Sequence, residues 1–122
     1  MNEFINIKEI CKDAKKIAIG GHIRPDGDCV GSTLGLYQYL KKTMPKAKVD
    51  IYLEQPAEIF NTIKGYADID SKFQKEETYD VFFALDCAKD RLGDAMKYFE
   101  TAGTTVNIDH HISNKGCGKY NY

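Results

Sequence analysis

The sequence has little net charge and few histidines, and these shortages limit its possible ligands. Its 17 basic and 18 acidic residues leave a formal charge of -1. No overall positive field is therefore available to hold a long phosphate backbone, and we do not expect long duplex nucleic acid as a ligand. With only 3 histidines in 122 residues, the position of each one is informative.

Long apolar runs and an N-terminal targeting pattern are also missing. No uninterrupted apolar stretch approaches the roughly 18 residues of a membrane-spanning helix. The start, Met1-Asn2-Glu3, lacks the basic segment and apolar core of a signal peptide. We therefore expect a cytoplasmic protein with no membrane partner.

Cysteine pairs are absent as well. Cys11, Cys29, Cys87 and Cys117 are widely scattered, without a Cys-x-x-Cys pair or the pattern of a small disulfide scaffold. We interpret them as reduced, mostly buried thiols rather than as a zinc cluster.

The composition that remains is typical of a soluble globular protein of one domain. Hydrophobic residues make up 43% of the chain and charged residues 29%. Hydrophobic periodicity predicts helices over residues 2–15, 28–42, 56–63 and 92–99. It predicts strands over residues 16–22, 48–53, 79–85 and 104–108, leaves 64–78 unassigned and ends the chain in polar coil.

Strands that alternate with helices predict an α/β fold. Parallel neighbours need crossover connections, and helices cover both faces of such a sheet. We expect a Rossmann-like, doubly wound, mainly parallel sheet with flanking helices. Ligands of open α/β sheets bind beyond the carboxyl ends of the strands, so residues that follow strands are the candidate site.

Acidic and imidazole side chains are concentrated at those strand ends, and they include all three histidines. The set is His22, Asp26, Asp28, Asp86, Asp109, His110 and His111. Carboxylates packed together repel one another unless cations hold them ionised, so the sequence predicts a metal site. Asp and His ligands without thiolate suit manganese, and are also compatible with magnesium, cobalt or iron.

Each of these residues has a structural interpretation when it is taken alone. Pro25-Asp26-Gly27 is a common turn, Asp28 is a common helix cap, and Asp86 or His110 beside a loop is usually structural. Because all of these residues are expected at the same side of the sheet, a metal site is favoured over separate structural roles.

Three motifs in order resemble those of the DHH phosphoesterases. They are His22-Ile23-Arg24-Pro25-Asp26-Gly27-Asp28-Cys29-Val30-Gly31-Ser32, then Leu85-Asp86, then Asp109-His110-His111. The first is most similar to the branch of nano-RNases and pAp phosphatases, and Asn114, Gly118 and Asn121 also resemble that branch. The resemblance implies an enzyme that hydrolyses short oligoribonucleotides or 3'-phosphoadenosine 5'-phosphate (pAp). Two divalent ions, expected to be Mn²⁺, would generate a hydroxide nucleophile.

The resemblance also implies a role for each site residue. One ion would be bound by His22, Asp26 and Asp86, and the other by Asp28, Asp86 and His110. Asp109 would orient the neighbouring ligands, and His111 would contact the phosphate or assist the leaving group.

Two further residues are candidate substrate contacts. Arg24 could offer its planar donor fork to a phosphate, or could be a solvated loop residue. Ser32 could lie near the substrate or stabilise the loop as a cap.

The sequence departs from the family pattern at its C-terminal end. Asp109 is the last carboxylate residue, so a further Asp ligand of the family is missing, as is a C-terminal substrate-binding domain of the DHHA1 type. We interpret residues 1–122 as a DHH catalytic domain that is incomplete at its C-terminal end. We expect this domain alone to have weak catalytic activity or none. A homodimer is a possible oligomeric state.

Alternatives remain within and outside this chemistry. Family II inorganic pyrophosphatase, exopolyphosphatase, RecJ-type exonuclease and cyclic-dinucleotide phosphodiesterase share the motifs. The alternative of another class is a non-catalytic module that binds metal or nucleotide.

Overall fold

A computed structural model describes residues 6–111 and 113–122. The described strands are β1 (Lys16–Gly20), β2 (Lys48–Tyr52), β3 (Ile69–Asp70), β4 (Val81–Leu85), β5 (Thr104–Ile108) and β6 (Tyr120–Asn121). The α-helices are α1 (Ile7–Cys11), α2 (Gly27–Thr43) and α3 (Met96–Thr101). Short 3₁₀ turns cover Glu58–Phe60, Tyr66–Asp68, Lys89–Arg91 and Gly93–Ala95. No helix in these ranges has the length and apolar character needed to cross a membrane.

The six strands form one parallel sheet in the order β3-β2-β1-β4-β5-β6. The chain builds outward from β1 to β3, returns to place β4 beside β1, and then builds outward in the other direction. The strand order therefore reverses between β1 and β4, which is the switch point where α/β sheets bind ligands. The predicted fold class is confirmed.

Alternating side chains of the central strands supply two cores. Ile17 and Ile19 of β1 pack on one face with Leu34 and Leu40 of α2, and all four are fully buried or nearly so. On the other face, Tyr52 stacks on Tyr98 with ring centroids 4.2 Å apart. Helices and loops thus cover both faces, as a central parallel sheet requires.

Several element boundaries differ from prediction. Of the helix predicted over residues 2–15, Phe4 lies outside the described residues, and the described helix is only Ile7–Cys11, capped by Asn6. The helix predicted over 56–63 is only the Glu58–Phe60 turn, and that over 92–99 begins as 3₁₀ turns before α3.

Two strands were not predicted. β3 and β6 have two residues each, and β6 lies where polar coil was expected. A two-residue strand shows no periodicity, so only its neighbour in the sheet reveals it.

Candidate metal centre

The first part of the centre is a loop that connects β1 to α2. His22 follows the end of β1, and Asp26 is the residue that caps α2, because its Oδ1 accepts the backbone N–H of Cys29 at 3.0 Å. This hydrogen bond lowers the pKa of Asp26 below its usual value. Asp28 is therefore not the cap, since it lies in the first helical turn with its side chain 68% exposed.

Close packing beneath this loop fixes the position of His22. A methyl group on Gly21 would lie 2.3 Å from the Cys29 sulfur and 2.9 Å from the Leu53 side chain. The His22 ring then bonds through Nδ1 to the carbonyl oxygen of Ile23 at 2.7 Å. A carbonyl can only accept, so Nδ1 carries the proton in this contact and Nε2 is left free to act as a ligand.

Asp86 lies at the centre of the cluster. It follows β4 with a φ of 61°, a left-handed conformation that Asp and Asn tolerate better than most residues. Its N–H donates to the carbonyl oxygen of Ile108 at 2.8 Å, and the residue is only 7% exposed. This backbone turn holds a buried carboxylate at the switch point between β1 and β4.

The two oxygens of Asp86 face two different histidines. Its Oδ2 lies 3.3 Å from His22 Nε2, and its Oδ1 lies 2.9 Å from His110 Nε2. Each of these imidazole nitrogens also faces a second carboxylate, with His22 Nε2 3.5 Å from Asp26 Oδ1 and His110 Nε2 3.3 Å from Asp28 Oδ2. The hydrogen bond to Asp86 raises the pKa of His110 above its usual value.

The centre thus has two halves that share one carboxylate. The His22 half contains His22, Asp26 and Asp86, and the His110 half contains Asp28, Asp86 and His110. These are the two groups implied by the sequence resemblance. Carboxylate oxygens and imidazole nitrogens are suitable ligands for divalent cations, so the donor set fits a metal centre.

Asp109 lies beside His111 and adjoins the same cluster, since ligand atoms of Asp86, Asp109, His110 and His111 all lie within 4.8 Å of one another. Its side chain is 3% exposed, and its Oδ1 accepts hydrogen bonds from the backbone N–H and ring Nδ1 of His111. Its Oδ2 accepts from Asn114 Nδ2 at 2.9 Å. Burial acts to raise the pKa of Asp109, but the hydrogen bonds from Asn114 and His111 outweigh it and lower that pKa.

An asparagine on β5 that belongs to none of the three sequence motifs anchors this loop. Asn107 is 2% exposed and donates to the carbonyl oxygens of Ala84 at 3.1 Å and Cys87 at 2.7 Å. Its Oδ1 accepts from Asn114 Nδ2 at 2.9 Å. A polar residue at an inward strand position was the available signal, because a buried amide needs several partners.

Two cavities open on either side of Asp86 and Asp109. The apolar cavity, of about 370 Å³, is lined by Asp28, Ser32, Leu36, Leu85, Asp86, Ile108, Asp109 and His110. The polar cavity, of about 510 Å³, is lined by His22, Asp26, Asp86, Cys87, Ala88, Asp90, Arg91, Asp109, His111, Ser113 and Asn114.

The predicted substrate contacts are separated by this arrangement. His111 lines the polar cavity, whereas Ser32 lines the apolar one. Ser32 is not a cap, since its hydroxyl donates to the carbonyl oxygen of Cys29 at 3.3 Å inside α2. Arg24 lines neither cavity, and its backbone N–H donates to Glu54.

The cysteines make no disulfide in the structure. Cys29 and Cys87 are buried close to the centre, and burial raises the pKa of each thiol to about 12. Thiols with such pKa values stay protonated at neutral pH in the absence of a metal ion. The Cys29 sulfur also lies within 4.8 Å of ligand atoms of His22 and Asp86.

Comparison with known proteins assigns this chain to a family. Residues 16–121 match the model of the DHH family, N-terminal domain. The chain belongs to the DHH family. It is thus a phosphoesterase domain, and the resemblance drawn from its three motifs is confirmed.

Two relatives of this DHH domain are informative. Over 102 residues the chain is 29% identical to a bifunctional oligoribonuclease and PAP phosphatase, NrnA, from Thermus thermophilus. That match covers 84% of the chain but only 30% of the relative's length. A crystal structure of an exopolyphosphatase-related protein from Bacteroides fragilis superposes with a TM-score of 0.80 and 26% identity, covering 94% of this chain and 36% of that one.

Proposed function

We propose that this DHH domain is the metal-binding catalytic part of a manganese-dependent phosphoesterase that acts on short oligoribonucleotides, pAp or both. The observation that carries the proposal is the buried carboxylate of Asp86, whose two oxygens face His22 and His110. A carboxylate in this position is suited to bridge two cations.

The proposed ligands follow the two halves of the centre. His22, Asp26 and Asp86 would hold one divalent ion, and Asp28, Asp86 and His110 would hold the other. The spacing of the side chains supports this division, because each imidazole already lies within 3.5 Å of two carboxylates. Bound ions would neutralise charge on a phosphoryl group and acidify an attacking water.

The remaining groups position the substrate. Asp109 holds the His111 ring through Nδ1, so the opposite ring nitrogen is available to the polar cavity. We assign His111 to contact the phosphate or to protonate the leaving oxygen, since imidazole can serve both purposes near neutral pH. Asp109 acts through His111 and is a positioning residue.

The substrate class rests on relatives. The Thermus thermophilus protein is named for oligoribonuclease and PAP phosphatase activities, and the first motif of this chain resembles that branch. The formal charge of -1 also favours small substrates over long nucleic acids. The exopolyphosphatase-related neighbour supports a second candidate, hydrolysis of polyphosphate at the same centre. Pyrophosphate belongs to the same candidate, because the motifs of this chain also resemble those of family II inorganic pyrophosphatases.

A calorimetric titration of Mn²⁺ into metal-free protein tests the centre. Asp86→Asn keeps the shape of the side chain and tolerates the φ of 61°, but it removes the shared charge. Loss of a shared ligand should exceed the effect of losing an outer hydrogen-bond partner, so we expect affinity to fall more than about 100-fold. Asp90→Asn, a neutralised carboxylate of the same cavity outside both halves, should bind Mn²⁺ like wild type.

Equal loss of Mn²⁺ affinity in both variants, or undiminished binding by folded Asp86→Asn, would contradict the ligand assignment.

The substrate is tested separately, by comparing hydrolysis of a dinucleotide, pAp, pyrophosphate and polyphosphate with Mn²⁺ present. Preference for the dinucleotide or pAp supports the proposal, and preference for either of the other two favours the second candidate.

A further inference from the structure

The polar cavity is lined by an arginine that the sequence motifs do not include. Its lining has four carboxylates, those of Asp26, Asp86, Asp90 and Asp109, and the imidazoles of His22 and His111. Of the described lining residues, Arg91 is the one with a permanently charged basic side chain. It comes from the segment between β4 and α3, which the DHH motifs do not cover.

The backbone around Arg91 is attached to the metal centre. The carbonyl oxygen of Arg91 accepts the N–H of Ile23 at 2.8 Å, and Ile23 is the residue after His22. Gly93 packs against the same loop, because a Cβ at this position would lie 2.7 Å from Ile23 Cγ2 and its φ is 61°. The base of the Arg91 side chain is therefore held in a constant position relative to His22.

The guanidinium is available despite its acidic surroundings. Within the described part of the chain, no carboxylate oxygen lies within 4.0 Å of an Arg91 guanidinium nitrogen, so Arg91 forms no ion pair there. The carboxylates of the two halves face the imidazoles and their proposed ions instead. Arg24, the arginine selected from the motif, lines neither cavity.

We propose that Arg91 is a substrate-binding residue that holds the phosphate of the substrate in the polar cavity, opposite His111. This inference rests on the proposed function, because the carboxylates around the cavity would repel a phosphate unless cations neutralised them. The planar fork of arginine can give two parallel hydrogen bonds to a phosphate, which a lysine cannot.

The test measures binding of inorganic phosphate, and separately of AMP, to the Mn²⁺-loaded protein by calorimetry. Hydrogen bonds to charged groups contribute about 1.5–3 kcal/mol, which corresponds to about 10- to 100-fold weaker binding for Arg91→Met. Arg91→Lys should lose part of this affinity, and the matched control Arg24→Met should change it less than about twofold.

A titration of Mn²⁺ into each variant separates the possible failures. If Arg91→Met binds Mn²⁺ and phosphate as wild type does, or if Arg24→Met is the weakened variant, the assignment of Arg91 is overturned and the metal centre stands. If wild-type protein binds Mn²⁺ but neither phosphate nor AMP, the cavity is not a phosphate site and the assignment again fails. If wild type binds no Mn²⁺, the proposed function fails first, and this inference fails with it.

Discussion

The two ends of the parallel strands are both rich in charge, but the charges serve different purposes. We call the side of the sheet where the strands begin the amino edge, and the side where they end the carboxyl edge. At the amino edge, Glu77 accepts hydrogen bonds from Lys16 at 2.8 Å and from Lys48 at 2.7 Å, and these lysines begin β1 and β2. Asp80 accepts the backbone N–H groups of Lys15 and Lys16. Acid and base are thus matched where the strands begin.

At the carboxyl edge the acids lack such partners. In the described ranges, no lysine or arginine pairs with Asp26, Asp28, Asp86 or Asp109, and the groups that face them are imidazoles. Clustered ionised carboxylates repel one another, which destabilises the folded protein unless a bound cation neutralises them. We infer that charge serves stability at the amino edge and ligand binding at the carboxyl edge.

After Asp86→Asn, the largest expected effect comes from a change in the His110 half of the centre alone. Asp28→Asn removes a carboxylate that faces His110 but leaves the His22 half intact. We expect affinity for the ion of the His110 half to fall about 10- to 100-fold, with the other ion unaffected. Electron paramagnetic resonance of free Mn²⁺ would count the bound ions, and loss of both ions would show that the halves are not separable.

A pair of changes at Asp26 separates ligand binding from stability at the carboxyl edge. Asp26→Asn keeps an oxygen that can accept the Cys29 N–H, whereas Asp26→Ala removes it. We expect the alanine variant to lose about 1 kcal/mol in the free energy of unfolding, and the asparagine variant to lose little. Urea unfolding measures this difference, and Mn²⁺ titration should show weakened binding in both. Equal stability of the two variants would contradict the capping role.

The smallest effect should be found at the amino edge, where Glu77→Gln breaks the pairing of Lys16 and Lys48. These hydrogen bonds lower the pKa of Glu77 from 4.5 to about 2. The folded state therefore favours the ionised form, so the stabilisation is complete above pH 4.5 and is lost as pH falls toward 2.

The melting temperature of Glu77→Gln should thus be lower than that of wild type at neutral pH and converge with it in acid. Glu76→Gln is the matched control, because Glu76 is exposed and makes no ion pair among the described residues. Mn²⁺ affinity should not change in either variant. A deficit at pH 2 as large as that at neutral pH would exclude the ionised carboxylate as its cause.

The long and strongly patterned elements were predictable from the sequence. β1, β2, β4 and β5 lie within the predicted ranges, because each carries apolar residues at consecutive or alternating positions. In the helix predicted over residues 28–42, the apolar residues Val30, Leu34, Tyr37 and Leu40 recur at helical spacing and are buried, but Tyr39 is 40% exposed. Tyr39 is the residue before Leu40, so its side chain lies outside the buried face of the helix.

The gathering of the site residues was predictable for the same reason, since each of them follows a strand of one parallel sheet. The roles proposed for them as ligands remain predictions. What the sequence could not provide depends on contacts between distant segments. Arg91 reaches the polar cavity because its turn bonds to Ile23, and no spacing within the chain signals that contact.

The left-handed backbone of Asp86 restricts which residues evolution can place there. A glutamate would offer the same carboxylate, but its longer side chain lacks the local hydrogen bonding that makes this conformation tolerable for Asp and Asn. Glycine and asparagine would suit the backbone but lose the negative charge. Chain geometry and ligand chemistry thus select aspartate by separate criteria, so a homologue that loses the metal should drift to asparagine or glycine at this position before any other residue.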